Sequence, residues 1–207
     1  MKATDLLVLL FGARLFSLAP VIMAALVATF EPADDPSEWQ RFANVAVAAD
    51  RAVDEQIQRG WGGSKWELVA ATLTAIRFES GPRMSRAVHA GENTVNGWCL
   101  GQIHDSNGFW KDYASHPREL TGTDVEATYR CLRTVTRTLA SGRSYCLKRH
   151  YRTNWRIAMW SLYGTGHKCW ISRTAARRAK FQRGIESKRF VPDERVVALV
   201  EAARGST

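Results

Sequence analysis

The chain is poor in the residues that break regular structure, with 15 glycines and 6 prolines in 207 residues. That scarcity excludes collagen-like and low-complexity architectures. A composition of 45% hydrophobic and 24% charged residues excludes a wholly disordered chain. Cysteine is missing from the first 98 positions, which rules out a lipid-modified cysteine near the N-terminus. No CxxC or HxxxH spacing occurs, so a zinc site has no support and no metal ligands are assigned. Acidic residues are in deficit, 20 against 29 Lys and Arg, for a formal charge of +9. Such a field favours polyanions: nucleic acid, an anionic membrane surface or an anionic polysaccharide. RNP-like, zinc-finger and helix-turn-helix patterns are absent, so nucleic acid is not an expected partner.

The length fits one domain, or one domain plus an appendage, with a core large enough to fold without staples. The most hydrophobic stretch is Leu6 to Phe30, interrupted by Arg14 and Pro20. About 25 helical residues rise roughly 37 Å, enough to cross a bilayer core, and Arg14 lies near one end where it can snorkel. Lys2 and Arg14 before the run and acidic residues after it fit an N-in orientation. Residues 1–30 are therefore expected to be a signal peptide or membrane anchor, with a core helix as the alternative. No small-x-small cleavage site stands out. Residues 31–38 are expected to be a linker and 39–207 the functional domain. Cys99, Cys131, Cys146 and Cys169 all follow the apolar segment. An even number in an exported chain suggests two disulfides, with three pairings open.

No repeat or second boundary follows the linker. Trp39, Phe42, Ala46, Val53 and Ile57 have helical spacing, ended by the glycines at 60, 62 and 63. Ser64 with Glu67 is a capping-box pattern opening a helix that buries Leu68, Val69, Thr72, Leu73 and Ile76 and stops at Gly81-Pro82. Residues 84–103 read as a small irregular β-hairpin or sheet. Helical periodicity returns at 124–140 and from Trp155 to Leu162. It continues at about 173–187, and at about 192–203 with Pro192 in the first turn. The expected class is α+β, mainly α.

Three stretches carry the chemistry: Ala75-Ile-Arg-Phe-Glu79-Ser80-Gly81, Gly97-Trp98-Cys99-Leu100-Gly101-Gln102-Ile103, and Leu162-Tyr163-Gly164-Thr-Gly166. A helix C-terminus and an apolar floor both disfavour a negative charge, the setting in which a carboxyl serves as a general acid. Glu79 stands in such a position. In their order these stretches resemble the lysozyme-like superfamily, specifically soluble lytic transglycosylase-type and goose-type lysozyme domains. The resemblance spans roughly residues 64–170. Such domains carry a helix ending in Glu-Ser-Gly, a Gly-Leu-x-Gln-Ile segment and a Tyr-Asn-x-Gly segment.

The resemblance implies a lysozyme-like fold with a small sheet beside the catalytic helix. It implies a peptidoglycan-degrading muramidase, chiefly a lytic transglycosylase cleaving the β-1,4 bond between N-acetylmuramic acid and N-acetylglucosamine. It requires no cofactor and takes glycan strands as partner. Glu79 matches the catalytic acid. Gly101, Gln102 and Ile103 match the substrate-contacting strand, and Tyr163 the tyrosine whose hydroxyl approaches the glutamate. Ser80 either contacts a sugar acetamido group or caps the helix. Trp98 is the aromatic chosen for stacking on a sugar ring, over Trp110, Trp160 and Trp170. The family's Asn is replaced by Gly164, which removes one substrate contact. Glu92, Asp105 and Asp112 are candidates for a second carboxylate, but His104 occupies the nearest matching position, so a single acid/base glutamate is expected. A hydrolytic goose-type-like enzyme or a non-catalytic glycan-binding module are the alternatives. The resemblance also favours the pairings Cys99–Cys131 and Cys146–Cys169. The basic run Arg173 to Arg189 reads as a solvated helix face or as an attachment to an anionic wall or membrane. The expected location is the periplasm or cell envelope, with residues 1–30 reaching the membrane.

Overall fold

In the computed structural model, residues 17–30, 32, 35–81, 97–104, 108–149, 154–166 and 168–206 are described. Seven α-helices and one two-stranded sheet make up their regular structure, apart from two 3-10 turns. The helices are α1 (Ala19–Thr29), α2 (Pro36–Gln58), α3 (Lys65–Ser80), α4 (Val125–Lys148), α5 (Trp155–Thr165), α6 (Arg173–Glu186) and α7 (Glu194–Gly205). The strands β1 (Gly97–Trp98) and β2 (Ile103–His104) are antiparallel, pairing Gly97 with His104 and Trp98 with Ile103. The 3-10 turns, Gly108–Asp112 and Pro117–Leu120, lead into α4.

Helix starts follow capping chemistry. Asp35, Ser64, Asp124, Ser172 and Asp193 each accept a backbone N–H in the first turn of their helix. At Ser64 the reciprocal half is present too, with Glu67 accepting from the Ser64 N–H at 2.9 Å. Asp193 caps α7, which leaves Pro192 outside the helix instead of in its first turn. Helix α4 runs to Lys148, a further two turns past the expected end.

Helix α4 is the central strut, packed on α2, α3 and α5, while α6 packs on α3 and α5. Helix α2 holds α1 on one side and α7 on another. The described part of the long apolar run is not set apart from the domain. Ala19, Ile22, Met23, Ala25, Leu26 and Phe30 have no exposed surface, and Phe30 meets Phe42 of α2 edge-on at 6.3 Å. Burying each large apolar side chain of this kind contributes about 1.5–3 kcal/mol. No helix among the described residues is long and apolar enough to cross a membrane. The expected linker is likewise part of the fold at its end, because α2 begins at Pro36. Positions 1–16 lie outside the described residues, as do most of the expected hairpin (82–96) and Glu92 and Asp105.

Both disulfides form as the resemblance implied. Cys99–Cys131 ties the β-turn to α4, and Cys146–Cys169 ties the end of α4 to the segment after α5.

Candidate active site

Helix α3 is buried along most of its length, from Leu68 to Ile76. It ends because Gly81 takes a positive φ of 75°, so Glu79 and Ser80 occupy its final turn. Opposite them lies the tight connection Cys99-Leu100-Gly101-Gln102 between β1 and β2. Cys99 (φ 57°) and Gln102 (φ 48°) are both left-handed, a conformation that costs a non-glycine residue about 1–3 kcal/mol.

Three consecutive carbonyls of this turn are each held by a side chain. Gln102 Nε2 donates to Cys99 O at 3.1 Å, Ser80 Oγ to Leu100 O at 2.7 Å, and the Tyr163 hydroxyl to Gly101 O at 3.0 Å. The Cys99–Cys131 bridge adds a covalent tie. The turn also lies directly on α4, where a Cβ at position 101 would collide with Val135 Cγ2. Burial, reinforced by the Glu79 carboxylate, pushes the Tyr163 hydroxyl well above the usual tyrosine range, while Arg178 pulls the other way.

A cleft of about 750 Å³ opens between the turn and helices α4, α5 and α6. Glu79, Gly101, Gln102, Ile103 and Tyr163 all line it, together with His104, Phe109 and Tyr145. Five of the residues singled out from the sequence are thus brought to one place. Ser80 is beside them but 2% exposed, with its hydroxyl committed to Leu100 O, so it positions the turn instead of facing a ligand. Trp98 does not line the cleft; its indole packs edge-on against His116 at 5.7 Å. Tyr145, 38% exposed, and Phe109 are the aromatic surfaces that the cleft presents instead. Trp110 is buried, and Trp160 is wholly internal, its indole N–H donating to the buried Gln182 at 2.9 Å.

Asp112 sits outside the cleft and pairs with Arg137. Among the described residues lining the cleft, Glu79 is the one carboxylate. No group of three metal-ligating side chains occurs among the described residues.

Sequence reasoning missed Arg178. Its Nη2 lies 2.7 Å from Glu79 Oε1, and its side chain is only 13% exposed. The guanidinium sits among the rings of Phe78, Trp160 and Tyr163, 5.5–6.0 Å from their centroids. A signal for it existed: Ala175, Ala179, Gln182 and Ile185 form the buried stripe of α6, and Arg178 falls on that stripe. Arg173, Arg177, Lys180, Arg183, Lys188 and Arg189 of the same basic run are exposed.

No family model matches the chain, and no curated protein or solved structure is similar to it.

Proposed function

We propose that the chain has a lysozyme-like fold and is a peptidoglycan-degrading muramidase, working as a lytic transglycosylase with Glu79 as its single acid/base. The observation that carries this reading is a carboxylate, the one among the described residues lining the cleft, at the end of a buried helix and facing a strained turn held by Ser80, Gln102, Tyr163 and a disulfide. In the first step the Glu79 carboxyl gives its proton to the glycosidic oxygen between N-acetylmuramic acid and N-acetylglucosamine, and the C1–O bond breaks. In the second, the muramyl 6-hydroxyl bonds to C1 and returns its proton to Glu79. The product is a 1,6-anhydro sugar, and the enzyme is restored. Hydrolysis by a goose-type-like route would need a water activated on the other face, a task usually given to a second carboxylate. Two disulfides support a working place in an oxidising, exported compartment such as the periplasm.

Digestion of purified sacculi by the full chain, followed by mass spectrometry, tests the proposal. The full chain is needed because α1 belongs to the core. Muropeptides ending in 1,6-anhydro-N-acetylmuramic acid are expected. Products heavier by one water would replace the transglycosylase assignment by the hydrolytic one. Intact sacculi would remove both.

A glycan-binding module is the second reading, and the Glu79–Arg178 ion pair is what favours it. The pair engages the carboxylate, whereas general acid chemistry needs the carboxyl with its proton. Binding of glycan without any cleavage would decide for the module.

A further inference from the structure

An arginine held like Arg178 is short of acceptors. Its Nε and Nη1 atoms are buried with no hydrogen-bond partner, and the contact to Glu79 runs through Nη2 alone. A guanidinium presents five N–H donors in a fork matched to a bidentate carboxylate. Buried donors without acceptors are unfavourable, and the fork meets the cleft where Nη2 holds Glu79, so a carboxylate that displaced Glu79 there would be bound by the same charge-assisted geometry. Aromatic rings of Phe78, Trp160 and Tyr163 flank it, and it lines the same cleft as Glu79. The helix that bears it is fixed in register: Gln182 is hydrogen-bonded to Trp160, and Glu186 pairs with Arg156 at 3.1 Å.

We propose that Arg178 is the cleft's receptor for a carboxylate on the substrate, and that it holds Glu79 in an ion pair until that carboxylate takes its place. The substrate class is an acidic glycan, bearing a lactyl or stem-peptide carboxylate next to the bond that is cut. A neutral N-acetylglucosamine polymer would leave Arg178 on Glu79. On exchange, Glu79 parts from Arg178 and is turned over to the glycosidic oxygen. This assignment rests on the acid/base reading of Glu79 for its second half only; the carboxylate receptor stands without it.

The test uses the full chain and one muramyl-containing tetrasaccharide in two forms, with free carboxylates and with the same groups as methyl esters. Calorimetric titration gives the affinities, and turnover of each form gives KM and kcat. The acid form should bind at least about tenfold more tightly than the ester, the effect of one charge-assisted hydrogen-bonded pair. Arg178→Gln should erase that preference and Arg178→Lys should keep part of it. Retained disulfides and an unchanged melting profile identify folded variants. Glu79→Gln removes the competitor for Arg178, so affinity for the acid form should rise several-fold over the native chain. Equal affinities for acid and ester in the native chain would overturn the proposal, as would a preference that survives Arg178→Gln. A Glu79→Gln affinity that does not rise would overturn the exchange. Acid-selective binding with no cleavage would end the enzymatic reading and leave the receptor in place. Equal cleavage of both forms would do the reverse.

Discussion

Helix α3 bears a Glu–Arg pair at each end. At the N-terminus Glu67 accepts from the Ser64 N–H and pairs with Arg156, which also pairs with Glu186 of α6. At the C-terminus Glu79 pairs with Arg178 of α6. The first glutamate sits where the helix dipole favours a negative charge, and its oxygens are taken up by a backbone donor and an arginine. The second sits where the dipole opposes it, on the wall of a cleft, against an arginine with unsatisfied donors. The chemistry of the two pairs is alike, and the surroundings separate a fastening from the group proposed to act on substrate.

Substitution should separate the two ends most strongly in turnover. Glu79→Gln keeps shape and removes the transferable proton, so digestion of sacculi should fall by about 10²–10⁴-fold, with the melting temperature nearly unchanged. Equal losses in turnover from Glu79→Gln and Glu67→Ala would show that neither end is special.

The disulfides extend the contrast from helix ends to the chain that packs on them. Replacing either pair by serine should cost about 2–4 kcal/mol, read from chemical denaturation. Only loss of Cys99–Cys131 should also depress turnover, because that bridge holds the turn whose carbonyls meet Ser80 and Tyr163. Glu67→Ala comes next. It removes half of a capping box and a partly buried ion pair, for about 1–2 kcal/mol, a fall in melting temperature of roughly 2–4 °C per kcal/mol, with turnover retained.

The smallest expected effect concerns Glu55 of α2. Burial pushes its carboxyl up, but hydrogen bonding and charge from Arg133, with Arg59 and Tyr129 adding to it, hold it below the usual glutamate range. A lowered folded value means that the stabilisation is present above about pH 4.3 and is lost as the pH falls through the folded value. Urea midpoints measured between neutral and acidic pH should therefore decline at the acid end. In Glu55→Gln that decline should be shallower.

Much of this arrangement is legible in the sequence. The Ser64–Glu67 cap, the stop after Ser80 and the grouping of Glu79, Gly101, Gln102, Ile103 and Tyr163 follow from local chemistry and from ordered motifs. Helix α1 is ambiguous in sequence, because an apolar run looks the same whether its solvent is lipid or the protein's own interior. What surrounds Ile22 and Leu26 is decided by α2 and α7, which are distant in sequence. Trp98 stands beside the Gly-Gln segment in the chain, while its ring is claimed by His116. Arg178 was hidden in a basic run that reads as solvated, and only the packing of α6 on α3 turns that one member inward.

The bridge between Cys99 and Cys131 also bears on timing. A chain made in a reducing compartment has its helices and its basic face, yet the turn across from Glu79 lacks its covalent tie. That tie is made in an oxidising space. On the proposed function, a cell would carry this protein unarmed through the cytoplasm, and the same oxidation that fastens the fold would set the cutting edge.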